Sequence, residues 1–222
     1  MMSEMSRCRN KFAIFEWKEQ NMVAIIDYDA GNIRSVENAV RFLGHDVKVT
    51  ADPQEILGAD HIILPGVGAF GDAMQRLRGA GLDKTIHQAV ESGKPFLGIC
   101  LGLQLLFEES EESPGVKGLA LLPGKIRRIP EGEGRKVPQI GWNDLSFPHR
   151  SRLFEGVKEG SYVYFVHSYY LQAGEPEDVA ACTEYGVHID AAVEHGSLFA
   201  CQFHPEKSER VGIQILQNFL NI

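Results

Sequence analysis

The residues that could do chemistry centre on a cysteine held between two glycines. Segment 98–102 reads Gly-Ile-Cys-Leu-Gly, follows a short apolar run, and has a helical pattern directly behind it. Glycines two residues before and after Cys100 permit a sharp turn without Cβ clashes, which is the geometry of a nucleophile elbow. Partial positive charge at the helix N-terminus stabilises a thiolate, the reactive form of cysteine. The pattern therefore predicts Cys100 as a catalytic nucleophile.

A cysteine nucleophile needs a base, and the base needs an orienting partner. His204 directly follows the apolar run 198–203 and precedes Pro205 and Glu206. Because the carboxyl ends of parallel strands meet at one edge of a sheet, Cys100 and His204 are expected to lie together. Glu206 can hydrogen-bond the far ring nitrogen of His204 and stabilise its imidazolium form. Alone, Cys100 could be a buried structural cysteine and His204 a strand cap, but together they predict a Cys-His-Glu triad.

A third element is the glycine-rich segment 65–70, Pro-Gly-Val-Gly-Ala-Phe, at the end of another apolar run. Its backbone N–H groups, with the N–H of Leu101, could form an oxyanion hole. The segment lacks the Lys-Ser/Thr ending of a nucleotide P-loop, so phosphate binding is disfavoured.

Composition excludes several classes of protein. The chain has 222 residues, of which 44% are hydrophobic and 23% charged, and its net charge is -8. This acidic balance argues against non-specific nucleic-acid binding, and no apolar run approaches the ~20 residues of a membrane span. Its four cysteines form no Cys-x-x-Cys pair, so the spacing predicts neither a zinc site nor a disulfide framework, and a cytosolic location is expected.

The elements that must position these residues follow an α/β pattern from Met22 onward. Strands are predicted at 23–26, 46–50, 61–64 and 96–99, and helices at 33–43, 70–92 (with a break at 79–81) and 101–108. This alternation predicts one domain, 22–222, with a mostly parallel sheet flanked by helices. In the second half, β-like runs at 125–129, 162–166, 179–183, 191–194 and 198–203 predict antiparallel hairpins added at one edge, before a closing helix at 211–220. The acidic segment 108–115 is interpreted as a solvated loop, with a docking surface as the alternative.

The two catalytic segments, 98–104 and 204–206, resemble the class I, triad-type glutamine amidotransferases, which hydrolyse glutamine and deliver ammonia to a synthase. Four further segments, 27–32, 65–70, 139–143 and 164–169, resemble one branch of that family, the glutaminase subunits of imidazole glycerol phosphate synthases in histidine biosynthesis. The similarity runs from residue 22 to residue 222. It implies the class I glutamine amidotransferase-like fold.

The resemblance also implies a role for each site residue. Cys100 attacks the glutamine carboxamide, His204 acts as base and then as acid, and Glu206 orients His204. Val67 and Leu101 provide the backbone oxyanion hole, and the peptide at Val67 reorients when the partner's site is occupied. Substrate is held by four positions: Gly68, Gln104, Ser168 and Tyr169.

The same resemblance implies a partner subunit. It is a (β/α)8-barrel cyclase subunit that forms a heterodimer with this chain and uses the ammonia to make imidazole glycerol phosphate and aminoimidazole carboxamide ribotide. Asn32, Trp142 and Lys207 are expected at the interface, although Trp142 could instead be a core residue. No cofactor or metal is needed for thiolate acyl transfer.

Three alternatives remain open at this point. The chain could be the glutaminase of another amidotransferase, serving purine, pyridoxal phosphate or anthranilate synthesis. It could be a stand-alone cysteine hydrolase of peptides or esters. It could also be a scaffold that only binds a partner, which the intact Cys100, His204 and Glu206 argue against.

Residues 1–21 precede the α/β pattern and mix basic with acidic side chains, without the apolar core of a secretory signal. We interpret them as an appendage, or as the product of a start codon upstream of Met22. A chain that begins at Met22 is therefore expected to keep its soluble yield and its glutaminase activity. Loss of soluble protein on deletion of residues 1–21 would contradict this interpretation.

Overall fold

The computed structural model describes residues 21–29, 31–132 and 135–222. The predicted appendage (apart from Asn21) and the predicted turn residue Ala30 lie outside the described residues. Across those three ranges, no helix combines the length and apolar character needed to cross a membrane.

The described chain forms twelve strands and six α-helices. The strands are β1 Met22–Ile26, β2 Asp46–Thr50, β3 His61–Leu64, β4 Phe96–Ile99, β5 Glu109–Ser110, β6 Gly124–Arg128, β7 Gln139–Asp144, β8 Tyr162–His167, β9 Tyr169–Ala173, β10 Val179–Glu184, β11 His188–His195 and β12 Leu198–Cys201. The helices are α1 Ile33–Phe42, α2 Pro53–Gly58, α3 Phe70–Gly79, α4 Leu82–Glu91, α5 Leu101–Leu105 and α6 Glu209–Leu220.

Ten of these strands form one sheet in the order β2-β1-β3-β4-β12-β11-β9-β6-β5, with β10 paired to β11. Strands β2, β1, β3, β4 and β12 are mutually parallel, whereas β11 pairs antiparallel with β12, β9 and β10. β7 and β8 form a separate antiparallel ribbon. The predicted class is confirmed: a mostly parallel central sheet with flanking helices and an antiparallel region in the second half.

Helices cover both faces of the parallel strands, which explains the short, continuously apolar runs in the sequence. Alternate residues of β1 point to opposite cores. Ala24 and Ile26 pack with residues of α2, α3 and α4, while Val23 and Ile25 pack with residues of α1 and α6. The two layers enclose the central strands, and the loops at the strand ends carry the candidate site.

The last strand, β12, lies in the middle of the sheet. Its β-like run was counted among the added edge hairpins, whereas the expected meeting of Cys100 and His204 required it to lie among the parallel strands. The structure agrees with the second expectation, because β12 pairs parallel with β4, with Leu198 opposite Phe96 and Cys201 opposite Ile99. The antiparallel strands then extend the sheet beyond β12. This pairing brings the segments that follow β4 and β12 to the same edge.

Other differences are local. The helix behind the elbow ends at Leu105 and not at residue 108, and α2, β7 and β9 were missed. For α2 the sequence did contain a signal, because Asp52 caps Gln54 N–H and Pro53 occupies the first helical position.

The interpretation of segment 108–115 as a solvated loop is wrong for several of its residues. Glu109 and Ser110 form β5 against β6. A Glu112 carboxylate oxygen accepts the N–H of Phe70 at 2.7 Å, and the Ser113 hydroxyl accepts the N–H of Gly71 at 3.0 Å. These N–H groups belong to the first turn of α3, where the helix itself provides no acceptor. The segment therefore caps α3 from a distant part of the chain.

Candidate active site

Cys100 occupies a strained turn between β4 and α5. Its φ is 56° and its ψ -107°, a conformation that L-residues rarely adopt. At Gly102, a Cβ would overlap the carbonyl oxygen of Leu64, and at Gly98 it would lie 2.9 Å from the backbone of Gly102. Both flanking glycines are thus required by close backbone approach, as the predicted elbow demands.

The thiol of Cys100 faces polar groups from neighbouring segments. Its Sγ lies 3.8 Å from the carbonyl oxygen of Val166 and accepts the side-chain N–H of Gln202 at 3.7 Å. The backbone N–H of Cys100 donates to the Cys201 carbonyl at 2.8 Å, which joins the two strand ends directly. Cys201 itself is fully buried and its pKa is raised well above the ordinary value by burial, so it is unsuited to act as a nucleophile.

His204 and Glu206 form the pair predicted from the sequence. Nδ1 of His204 lies 2.8 Å from Oε1 of Glu206, and both side chains are buried. Burial alone would lower the pKa of His204, but its hydrogen bonds with Cys100 and Glu206, together with their negative charges, raise it to about 9. Cys100, His204 and Glu206 therefore lie in one hydrogen-bonded row, with the imidazole in the middle.

Asn32 contacts this row, although the sequence suggested only an interface role for it. Its Nδ2 donates to Oε1 of Glu206 at 2.5 Å and lies 3.5 Å from Nδ1 of His204. A left-handed backbone conformation, with φ 73°, precedes α1 and directs Asn32 toward the row. The side chain of Asn32 thus holds the carboxylate that holds the imidazole.

A cavity of about 310 Å³ opens beside Cys100 and His204. That volume lies at the small end of ligand pockets and suits a ligand the size of an amino acid. All the predicted backbone and substrate-binding positions line it: Val67, Gly68, Leu101, Gln104, Ser168 and Tyr169. Gln104 is fixed there because its Nε2 donates to the Tyr169 carbonyl and to Oε1 of Gln202, each at 3.0 Å.

Three residues near the cavity were missed as site residues. Gln202 is fully buried and bridges Cys100 to Gln104. His167 lines the cavity, and burial lowers its pKa to about 4, so its imidazole is neutral at physiological pH. Glu112 also lines the cavity, although it lies in the segment interpreted as a loop. Gln202 stands two residues before His204, so strand alternation could have indicated it, but no local signal places Glu112 here.

The comparisons with known proteins agree with this geometry. The sequence matches the profile of the glutamine amidotransferase class-I family over residues 24–222. The chain belongs to the class-I glutamine amidotransferases. It is 53% identical over 201 residues to imidazole glycerol phosphate synthase subunit HisH of Methanothermobacter thermautotrophicus, with 90% of this chain and 98% of that one covered. The corresponding subunit of Moorella thermoacetica is 52% identical over 197 residues, covering 89% and 93%.

The fold of this amidotransferase is shared by more distant proteins. A putative GMP synthase subunit from Thermoplasma acidophilum superposes with a TM-score of 0.68 at 22% identity, covering 92% of this chain and 94% of that one. Another structure, a glutamine amidotransferase, gives a TM-score of 0.70 at 23% identity, with 90% and 97% covered.

One predicted oxyanion donor of this amidotransferase is engaged within the protein. The N–H of Leu101 donates to the Gly66 carbonyl at 3.3 Å. The preceding carbonyl, that of Pro65, accepts a hydrogen bond from the hydroxyl of Tyr28 at 3.0 Å, which anchors the start of the glycine-rich segment. For Leu101 to donate to a substrate oxyanion, the peptide of Gly66 must move.

Two of the predicted interface residues, Lys207 and Trp142, lie on exposed surface. Lys207 is exposed and lines the cavity. Trp142 is 47% exposed, which excludes its alternative interpretation as a core residue. Its ring packs edge-on against Tyr164, and Ile140 and Tyr162 are also exposed on this ribbon. Since Val166 of the same ribbon lines the cavity, the exposed apolar face adjoins the site.

The raised pKa of His204 predicts the alkaline limit of the reaction. Because the folded pKa lies above the ordinary value, the imidazolium persists through neutral pH and is lost as pH rises through about 9. We expect kcat/KM for glutamine hydrolysis by the free chain to fall above that pH. Cys100 and Glu206 both raise the pKa of His204, so in Glu206→Gln, which lacks the second of these charges, the fall should move to lower pH. Glutamate release measured across the pH range tests this, and an unchanged or higher limit in Glu206→Gln would contradict it.

The contact between Asn32 and Glu206 predicts an effect that needs no partner subunit. Loss of one hydrogen bond to a charged group in Asn32→Ala should lower the basal kcat about 10-fold, with KM little changed because Asn32 does not line the cavity. Asn32→Asp should be worse, because it sets a second carboxylate beside Glu206.

Asn218→Ala is the matched control, since its amide also bonds other residues but lies away from the triad. Glutamate release by the free chain separates the two roles of Asn32. If Asn32 acted only in docking, basal kcat would stay at the wild-type value.

Proposed function

We propose that this chain is the glutaminase subunit of an imidazole glycerol phosphate synthase, and that it hydrolyses glutamine and passes the ammonia to a cyclase subunit. The observation that carries the proposal is the row formed by Cys100, His204 and Glu206 beside an amino-acid-sized cavity. Identity of 53% to a HisH subunit, over nearly its whole length, supports the choice of synthase.

The first half of the reaction is acyl transfer to sulfur. The Cys100 thiolate attacks the side-chain carboxamide carbon of glutamine, and the carbonyl oxygen becomes an oxyanion bound by backbone N–H groups at Val67 and Leu101. The carbon–nitrogen bond then breaks while His204, as imidazolium, gives its proton to the leaving nitrogen. Ammonia departs and a glutamyl thioester remains on Cys100.

The second half is hydrolysis of that thioester. Neutral His204 takes a proton from water as the water oxygen attacks the thioester carbonyl. The tetrahedral intermediate collapses, glutamate leaves, and Cys100 returns to the thiolate beside the restored imidazolium. Glu206 stays ionised throughout, because its role is to orient His204 and stabilise its positive charge. The sum is glutamine plus water to glutamate plus ammonia.

Glutamine recognition needs groups for both ends of an amino acid. The Glu112 carboxylate lines the cavity and can accept the substrate ammonium, while Lys207 carries the opposite charge at the cavity. Backbone at Gly68, Ser168 and Tyr169 and the fixed amide of Gln104 complete the walls. This division of charge favours a zwitterion over a peptide or an ester.

The need for a partner follows from the product. Ammonia is protonated in water at neutral pH and then ceases to be a nucleophile, so it must pass directly to the site that consumes it. The exposed apolar face of the β7–β8 ribbon adjoins the cavity and includes Trp142, a residue type favoured as an interface anchor. We place the (β/α)8-barrel cyclase there, as a heterodimer, with Asn32 and Lys207 at its margin.

The N–H of Leu101 is already hydrogen-bonded within the protein, which supports the idea that the partner activates glutamine hydrolysis. While the Gly66 carbonyl accepts this N–H, the oxyanion hole lacks one of its two donors. Binding that shifts segment 65–70 would release it, in keeping with the reorientation expected at Val67. We further assign the chain to the cytosol, where the thiols of Cys100, Cys182 and Cys201 stay reduced.

The coupled reaction tests this proposal. Glutamate release by the chain alone should be weak, and the cyclase subunit with its nucleotide ligand should raise it at least about 10-fold. Cys100→Ala should abolish glutamate release, while its complex should still cyclise with added ammonia. Full turnover without a partner would identify a stand-alone hydrolase. Activation only by a purine, pyridoxal phosphate or anthranilate synthase subunit would contradict the assignment.

A pair of variants in the same assay tests the docking face. Trp142→Ala should weaken the complex by about 2 kcal/mol, roughly 30-fold in Kd, if Trp142 is an anchor. Phe42→Ala is the matched control, because Phe42 is the more exposed aromatic and lies at the far end of α1. Equal effects of the two substitutions would rule out the ribbon as the docking face.

A further inference from the structure

The hairpin formed by β10 and β11 places four side chains of metal-ligand type on one face. In its antiparallel register Cys182 lies opposite Asp190, and Glu184 lies opposite His188. Directly opposed residues share a face of a sheet, and so do residues two apart along one strand. All four side chains therefore project from the same side of the hairpin.

The ligand atoms of three of these residues are close together. Sγ of Cys182, an imidazole nitrogen of His188 and a carboxylate oxygen of Asp190 all lie within 4.8 Å of one another. Nε2 of His188 is 3.6 Å from Oδ1 of Asp190, while Nδ1 of His188 is 2.7 Å from Oε1 of Glu184. The other oxygen of Asp190 accepts the N–H of Ala173 at 2.8 Å, which fixes the carboxylate.

The mixture of donors indicates a particular class of ion. One sulfur, one imidazole nitrogen and one carboxylate oxygen are the ligands of Zn²⁺ and related divalent transition metals, whereas Ca²⁺ and Mg²⁺ prefer oxygen alone. Ligand atoms that lie about 2.0–2.3 Å from a tetrahedral ion are closer to each other than these three atoms are in the structure. The side chain of His188 is exposed, so it can rotate inward toward Cys182 and Asp190.

Glu184 forms the kind of hydrogen bond that commonly orients a metal-bound histidine. Metal-bound imidazoles commonly donate their second ring N–H to a carboxylate, which sets the tautomer and the ring orientation. The hydrogen bond between Nδ1 of His188 and Glu184 leaves Nε2 facing Asp190, on the side of the three-donor cluster.

We propose that Cys182, His188 and Asp190 form a surface binding site for a zinc-class divalent transition-metal ion, with Glu184 orienting His188. Binding forms three metal–ligand bonds, leaves a coordination position for water, and releases the thiol proton of Cys182 to solvent. The spacing of cysteines in the sequence predicted no zinc site, because the three ligands come together only when β10 pairs with β11.

Titration of the chelator-treated full chain with Co²⁺ and Zn²⁺ tests the proposal, with Cys100→Ser as background so that the triad thiol is absent. We expect one equivalent of Co²⁺ to bind with a thiolate-to-cobalt charge-transfer band, Zn²⁺ to displace it, and about one proton to be released per ion. Cys182→Ser should abolish the band. His188→Ala and Asp190→Asn should each weaken binding at least about 10-fold.

His195→Ala is the matched control, because His195 lies at the other end of β11, is equally exposed and also bonds a carboxylate, that of Asp178. It should bind the ion as the background protein does. Absence of binding in the background protein would overturn the proposal. So would binding that survives all three ligand substitutions, or that is lost in His204→Ala instead, because the ion would then occupy another site.

Discussion

The parallel pairing of β4 with β12 holds the two halves of the proposed triad together. Cys201 lies opposite Ile99, and the N–H of Cys100 donates to the Cys201 carbonyl, so Cys100 and His204 leave the sheet side by side. Each strand is buried on both faces, which leaves little freedom to slip. Chemistry between residues far apart in sequence thus rests on ordinary backbone hydrogen bonds.

The same placement buries the charged side chains of His204 and Glu206. Hydrogen bonds within the site offset the free energy cost of burying them. Burying His204 and Glu206 would be unfavourable if either stood alone. The 2.8 Å contact between them, together with the Asn32 amide on the same carboxylate oxygen, provides the compensation. Among the described residues, Oε2 of Glu206 has no hydrogen-bond partner. The carboxylate is held through one oxygen, the one that also faces the imidazole.

Two features of the site indicate an inactive state: the backbone of Cys100 is strained, and the N–H of Leu101 is already hydrogen-bonded. Cys100 is held at positive φ because the glycines on each side let α5 approach β3 closely. The same close approach brings the Gly66 carbonyl to the N–H of Leu101. Val166 of the exposed ribbon and Leu101 line the same cavity, so a partner docked as proposed would lie beside the glycine-rich segment.

Local periodicity and the steric rules for glycine were enough to predict the parallel strands, the elbow at Cys100, the His204–Glu206 pair and the class of fold. Resemblance added the interface residues Asn32, Trp142 and Lys207 and the substrate-binding positions Gly68, Gln104, Ser168 and Tyr169. Four features emerged only when the chain was folded: β12 inserts beside β4, Glu112 reaches the cavity, Asn32 holds Glu206, and Cys182, His188 and Asp190 meet. Each of these depends on contacts between distant segments, and such contacts are set by packing and register, for which no short stretch of sequence carries a signal.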